Sequence, residues 1–218
     1  MHKILYFIFF AATLSMQAQK DIYESPRFDE LSDSHETLAI LPFLTNLELK
    51  NKVTPEDLKA LEEKEGYAVQ NALETYFSKW GKKKKLPVEF QNTRNTKAIL
   101  AQEGIDYKNI DVYTMKQLSE ILGVDGVISG TLDLNVLLSK GVATDFSFTD
   151  YFSGDADYGR IGVKISDGTS GKLLWKYEKQ INKKTGKNTT DLIDQMMKLA
   201  IRKFPYERER KKDRKNKE

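Results

Sequence analysis

Residues 114–131, TMKQLSEILGVDGVISGT, restrict this chain more than any other stretch, because they specify a helix, its stop and the strand that follows. Thr114 and Gln117 have the spacing of a capping box, in which a hydroxyl and a side-chain amide each satisfy a backbone donor at the helix start. Met115, Leu118, Ile121 and Leu122 recur at helical spacing and predict one buried stripe. Gly123 supplies the left-handed residue that closes a helix, and Gly126 and Gly130 allow close backbone approach in the strand. Beyond them Leu132, Leu134, Val136 and Leu138 alternate with Asp133 and Asn135, so one face of this strand is buried. A helix running directly into a half-buried strand is the signature of a sheet with helices packed against it.

The rest of the chain extends that pattern. The run TLAILPF, residues 37–43, is almost unbroken apolar sequence, as expected of a central strand covered on both faces. Thr54 and Pro55 open a helix that carries Leu58, Leu61, Val69, Leu73, Tyr76, Phe77 and Trp80, with Gly81 as its predicted end and the lysines at 82–85 as a solvated loop. A short strand over 86–90 and a helix over 95–102, stopping at Gly104, follow. Strands at 161–166 and 173–181 are joined by DGTSG, an antiparallel hairpin with the turn residues in place. Asn188 or Thr189 caps a final helix that Pro205 stops. The expected fold class is α/β: a mixed parallel/antiparallel sheet with helices packed against it, ending in an antiparallel meander and a C-terminal helix.

The first 19 residues read as a secretory signal peptide: Lys3 is basic, residues 4–16 form a 13-residue apolar core too short to span a bilayer, and Ala18 offers a cleavage point. The expected organisation is then a polar segment at 20–36, one α/β domain at 37–206 and a charged, disordered tail at 207–218. There is no cysteine, hence no disulfide, no thiolate and no attachment point for a diacylglycerol anchor. Export without an anchor predicts a periplasmic or extracellular protein. The formal charge of +3 does not call for a nucleic-acid partner.

Reactive groups are scarce. Once the signal peptide is removed, His35 is the only histidine, and its polar neighbourhood predicts a solvated side chain rather than a member of a triad with Ser34 and Asp33. The stretch GTSGK, residues 168–172, lacks the first glycine and the magnesium-binding hydroxyl of a phosphate-binding loop and reads as a hairpin turn. Asp155 and Asp157 fall short of a calcium loop. Asn188, Thr189 and Thr190 match a glycosylation acceptor but are better explained as a helix cap. The long connection at 141–158 is different. It holds Phe146, Phe148, Tyr151, Phe152 and Tyr158, of which Phe146 and Phe148 continue the strand alternation, while Tyr151, Phe152 and Tyr158 form a candidate partner-binding surface.

Taken together, LAILPF, LSEILGVDGVISGTL, ISDGTSGKLLWKY and the closing FPY resemble a domain family of bacterial envelope proteins. It includes the amino-terminal domain of TolB, the lipoprotein activators of penicillin-binding proteins, the periplasmic domain of the curli secretion channel and related uncharacterised lipoproteins. The resemblance covers residues 37–206. It implies a non-enzymatic docking or assembly module, an envelope protein as partner and no cofactor. The chain departs from many relatives in lacking the lipobox cysteine. Two other classes stay open: a small-molecule or glycan binder, which requires a pocket lined by Tyr or Trp, and a carboxylate-only hydrolase, which requires two acids facing one cleft.

Overall fold

A computed structural model describes residues 22–49, 53–84, 86–135, 137, 157–182, 188–200 and 204–206. The signal-peptide residues, Tyr151, Phe152, Phe146, Phe148, Asp155 and the charged tail lie outside the described residues.

Seven strands form one sheet: β1 (Ile22–Glu24), β2 (Thr37–Ile40), β3 (Leu44–Leu47), β4 (Glu89–Phe90), β5 (Gly126–Leu134), β6 (Asp157–Asp167) and β7 (Leu173–Asn182). Their order is β1-β7-β6-β5-β2-β4, with β3 beside β5 further along the same edge. The pairs β2–β4, β2–β5 and β3–β5 are parallel, whereas β5–β6, β6–β7 and β1–β7 are antiparallel. The sheet is therefore mixed, and it ends in the expected meander followed by a C-terminal helix. Among the described residues five α-helices accompany it: α1 (Phe28–Ser32), α2 (Pro55–Lys84), α3 (Thr93–Gln102), α4 (Met115–Leu122) and α5 (Thr189–Ala200), with a 3-10 turn at Ile110–Val112.

Alternation along the strands assigns the two faces. Leu38, Ile40, Ile128, Leu132 and Leu134 point to a core shared with α2 and α5, while Ala39 and Val127 point to a smaller core shared with α3 and α4. The larger core is aromatic. Phe204 packs edge-on against Trp80 and Trp175, and Phe77 stacks on Phe90 at 4.3 Å.

The TLAILPF segment differs from a single strand. Ile40 pairs with Ile128 and Leu44 with Thr131, so three residues, 41–43, stand opposite two, 129–130. This one-residue bulge sits at Pro42, which has no N–H to give a ladder. Because side chains alternate with period two, the extra residue inverts which positions face the core: Leu47 turns in and Leu44 turns out. Phe43 is fully buried with its ring over Gly130, where a Cβ would meet Phe43 Cε1 at 2.2 Å and the Gly162 carbonyl oxygen at 2.1 Å. Only glycine fits there.

Helix α2 also departs from expectation. It runs through Gly81 to Lys84, with Lys85 outside the described residues, so neither the glycine stop nor the loop beginning at residue 82 is found. Trp80, 9% exposed and packed on Phe204, holds the last turns helical by tertiary contact, which overrides the weak propensity of glycine. A Cβ at Gly81 would meet nothing within 4 Å. Gly81→Ala is therefore expected to raise stability by up to about 1 kcal/mol, measured as a higher denaturant midpoint; a lower midpoint would contradict the helical reading.

Elsewhere the capping signals hold. Thr114 Oγ1 accepts from Gln117 N and the Gln117 side chain accepts from Thr114 N, and Gly123 takes φ 63°. The strand expected over 86–90 shrinks to Glu89–Phe90, since Pro87 cannot donate to a ladder. Helix α3 begins earlier than expected, capped by the Asn92 side chain on Arg94 N. In the final helix the cap is Asn188, whose Oδ1 accepts from Asp191 N at 2.9 Å. The polar stretch before β2 contributes β1 at the sheet edge and α1, whose Phe28 is buried against Tyr206.

Candidate functional site

His35 is not solvated. It is 6% exposed, with Nε2 3.0 Å from Asp167 Oδ1 and Nδ1 2.6 Å from the Tyr206 hydroxyl. The sequence neighbourhood misleads because the partners come from positions 132 and 171 residues away. Ser170, in the hairpin turn, donates both its N–H, at 2.6 Å, and its hydroxyl to Asp167 Oδ2. Burial alone would push the Asp167 pKa up, but the Ser170 donors and the His35 ring outweigh it and hold the carboxyl below its ordinary range. Asp167 is thus an ionised, acceptor-only group at neutral pH. That requires a proton on His35 Nε2, opposite Asp167 Oδ1, while Nδ1 faces the Tyr206 hydroxyl.

The residue types suggest a catalytic triad, and the connectivity opposes one. Ser170 donates to the aspartate and not to the histidine, so no serine hydroxyl is placed for activation by the imidazole, and the hydroxyl that does face it is the phenol of Tyr206, buried in the core. Asp167 and Tyr206 are buried, at 3% and 0% exposure. The arrangement is a clasp that joins the segment before β2, the β6–β7 turn and the chain beyond α5. The GTSGK stretch is a hairpin turn, as expected, and Asp167 and Ser170 in it are part of this clasp.

Of the residues expected to bind a partner, Tyr158 lies in β6, with only its backbone described; Tyr151 and Phe152 lie outside the described residues. Among the described residues, two open grooves lie on either side of the first half of α2. Here Tyr67 of α2 and Tyr107 of the loop after α3 lie with ring centroids 6.0 Å apart. The Tyr107 hydroxyl donates to Phe43 O at 3.1 Å and accepts from Thr45 N at 2.8 Å, fastening the bulge to the loop. Gln70 Nε2 donates to Ile40 O at 2.6 Å, covering the last carbonyl of β2. Burial pushes both phenol pKa values up, and Glu63 adds to the effect at each.

The first groove, about 680 Å³, runs between α2 and α3 past Ala60, Lys64, Tyr67, Ala68, Arg94 and Lys97. The second, about 560 Å³, lies between α2 and the 107–111 segment and gathers Glu56, Glu62, Glu63 and Asp111 with Lys59 and Lys108. One of these carboxylates is already engaged: Glu62 Oε1 accepts from Leu47 N at 3.1 Å. Sequence reading missed both grooves because their residues look like the ordinary wet face of a helix; the one available signal was the pair of alanines, Ala60 and Ala68, on that face. Among the described residues no group of three or more acidic or histidine side chains is placed to hold a metal ion.

No family model matches the chain, and no curated protein matches it. Among solved structures it is similar to lipoprotein GNA1162 of Neisseria meningitidis, at 14% identity over 77% of this chain and 96% of that one, with a TM-score of 0.47. It is also similar to the C-terminal domain of LpoB from Salmonella enterica, at 8% identity over 72% of this chain and 94% of that one, TM-score 0.39. PelC from Paraburkholderia phytofirmans, solved as a dodecamer, aligns at 8% identity over 74% of this chain and 87% of that one, TM-score 0.30. These neighbours include envelope lipoproteins of the group that the sequence motifs resemble.

Proposed function

We propose that this chain is an exported, non-enzymatic binding or assembly module of the bacterial cell envelope, acting through protein–protein contacts. The observation that carries the reading is the contrast between its two kinds of polar cluster. The clasp of His35, Asp167 and Tyr206 is closed into the core, whereas the relief along α2 consists of open, helix-walled grooves suited to a second chain. The signal-like first 19 residues support an envelope location, and no helix among the described residues is long and apolar enough to cross a membrane. Tyr151, Phe152 and Tyr158 enter this reading as a second contact surface, and the absence of cysteine as a reason to expect tethering through a partner.

Proximity labelling from this protein in its native envelope, followed by mass spectrometry, tests the reading. Enrichment of a consistent envelope protein is expected; none recovered in repeated experiments would sink it. The second reading is a carboxylate-only hydrolase, favoured by the four acids around the second groove. A purified chain inert toward a panel of chromogenic glycosides would remove the glycosidase form of that reading.

A further inference from the structure

One end of the α2–α3 groove is closed and the other open. Glu74 of α2 accepts from Asn92 Nδ2 at 2.9 Å, Thr93 N at 3.0 Å and Thr93 Oγ1 at 2.7 Å, so the head of α3 is pinned to α2 and its positive end already faces a carboxylate. About four turns of α2 earlier, toward its start, the groove opens over Ala60. Between these ends the lining has two small apolar residues, exposed Ala60 and half-buried Ala68, and three cations, Lys64, Arg94 and Lys97, against one carboxylate, Glu63. Among the described residues none of the three cations forms an ion pair. Lys97 instead rests over the Tyr67 ring, its Nζ 4.5 Å from the centroid.

We infer that the α2–α3 groove binds an acidic peptide segment of a protein partner, with its apolar side on Ala60 and Ala68 and its carboxylates against Arg94, Lys97 and Lys64. The inference rests on the protein-binding reading above and adds the chemistry of the partner. Unpaired cations on two facing helices keep their charge available to an incoming carboxylate, and guanidinium can bind one bidentately. A carbohydrate fits less well. The face of Tyr67 on which a sugar ring would stack is covered by Lys97, and buried Gln70 has its amide nitrogen engaged by Ile40 O.

The test uses the mature chain and a fluorescein-labelled amphipathic peptide of about 14 residues, glutamates on one face and alanine and leucine on the other, read by anisotropy. Binding should weaken as salt rises and fall about tenfold or more in Arg94→Glu/Lys97→Glu, while Lys59→Glu/Lys108→Glu in the neighbouring groove leaves it within about twofold. Arg94→Gln/Lys97→Gln, expected to show the intermediate loss, replaces the reversal if that variant does not fold. No binding, equal loss in the two variant pairs, or tighter binding of an oligogalacturonate than of the peptide would each overturn the inference. If Arg94→Glu/Lys97→Glu still labels the same envelope protein, the groove proposal fails and the binding-module reading stands; if the peptide binds but no envelope protein is ever labelled, the reverse holds.

Discussion

Replacing His35 with alanine is expected to cost about 1.5–3 kcal/mol of folding stability, because it removes one of the donors to a buried carboxylate. Asp167 is 3% exposed and its Oδ1 loses the ring N–H that it accepts in the folded protein. Tyr206→Phe removes only the hydroxyl that faces Nδ1 and is expected to cost about 0.5–1.5 kcal/mol. Chemical denaturation of the three proteins gives the order directly, and a Tyr206→Phe loss equal to that of His35→Ala would show that the clasp is not organised around the carboxylate.

The same carboxylate sets a pH dependence. Its folded pKa lies below the unfolded value, so its contribution is complete above the unfolded pKa of about 3.9 and disappears as pH falls through the depressed folded value. Wild type is accordingly expected to exceed Asp167→Asn in stability at neutral pH, with the gap shrinking below about pH 4. A gap that stays constant from neutral to strongly acidic pH would contradict an ionised Asp167.

The second large effect belongs to Gly130→Ala, expected to cost about 3 kcal/mol or more, at the upper end of the range for overpacking. The added methyl would meet backbone on one side and the Phe43 ring on the other. Neither can yield: the Gly162 carbonyl belongs to β6, and Phe43 is held at its N–H by Gly66 O and at its carbonyl by Tyr107. Gly123→Ala is the useful comparison. It has open space but a φ of 63°, so it is expected to cost about 1–2 kcal/mol, the price of the left-handed conformation alone. Thermal melts in which Gly123→Ala is the more damaging of the two would refute the close-approach argument.

These glycines also show how far the sequence is legible. Gly123, Gly130 and Gly81 look alike on the page, yet the first is assigned from its neighbours as a helix cap and the second as a point of close approach in the strand, while Gly81 is misread as a stop. Gly130 is fixed by Phe43, which the parallel pairing of β3 with β5 brings alongside. Gly81 depends on Trp80 finding Phe204 from the far end of the chain. The α/β class, the hairpin and the capping box were readable from local sequence. The bulge at Pro42 was half readable: proline announced an interruption, but the inverted alternation of β3 required the register with Thr131. Nothing local distinguishes a buried His35 from an exposed one, since burial comes from a turn and a terminus that close over it later. For the grooves, Arg94 and Lys97 are exposed helix residues like many others; what sequence does not supply is that α2 leaves a trough opposite them.

The clasp also bears on when this chain can finish folding. Tyr206 is made 171 positions after His35, so a chain emerging amino terminus first cannot complete the contacts of its histidine until the segment beyond α5 has arrived. Loops of that span close slowly. If residues 1–19 direct export as their sequence indicates, the clasp closes only once residue 206 has crossed, and a chain shortened before Tyr206 lacks its last fastening.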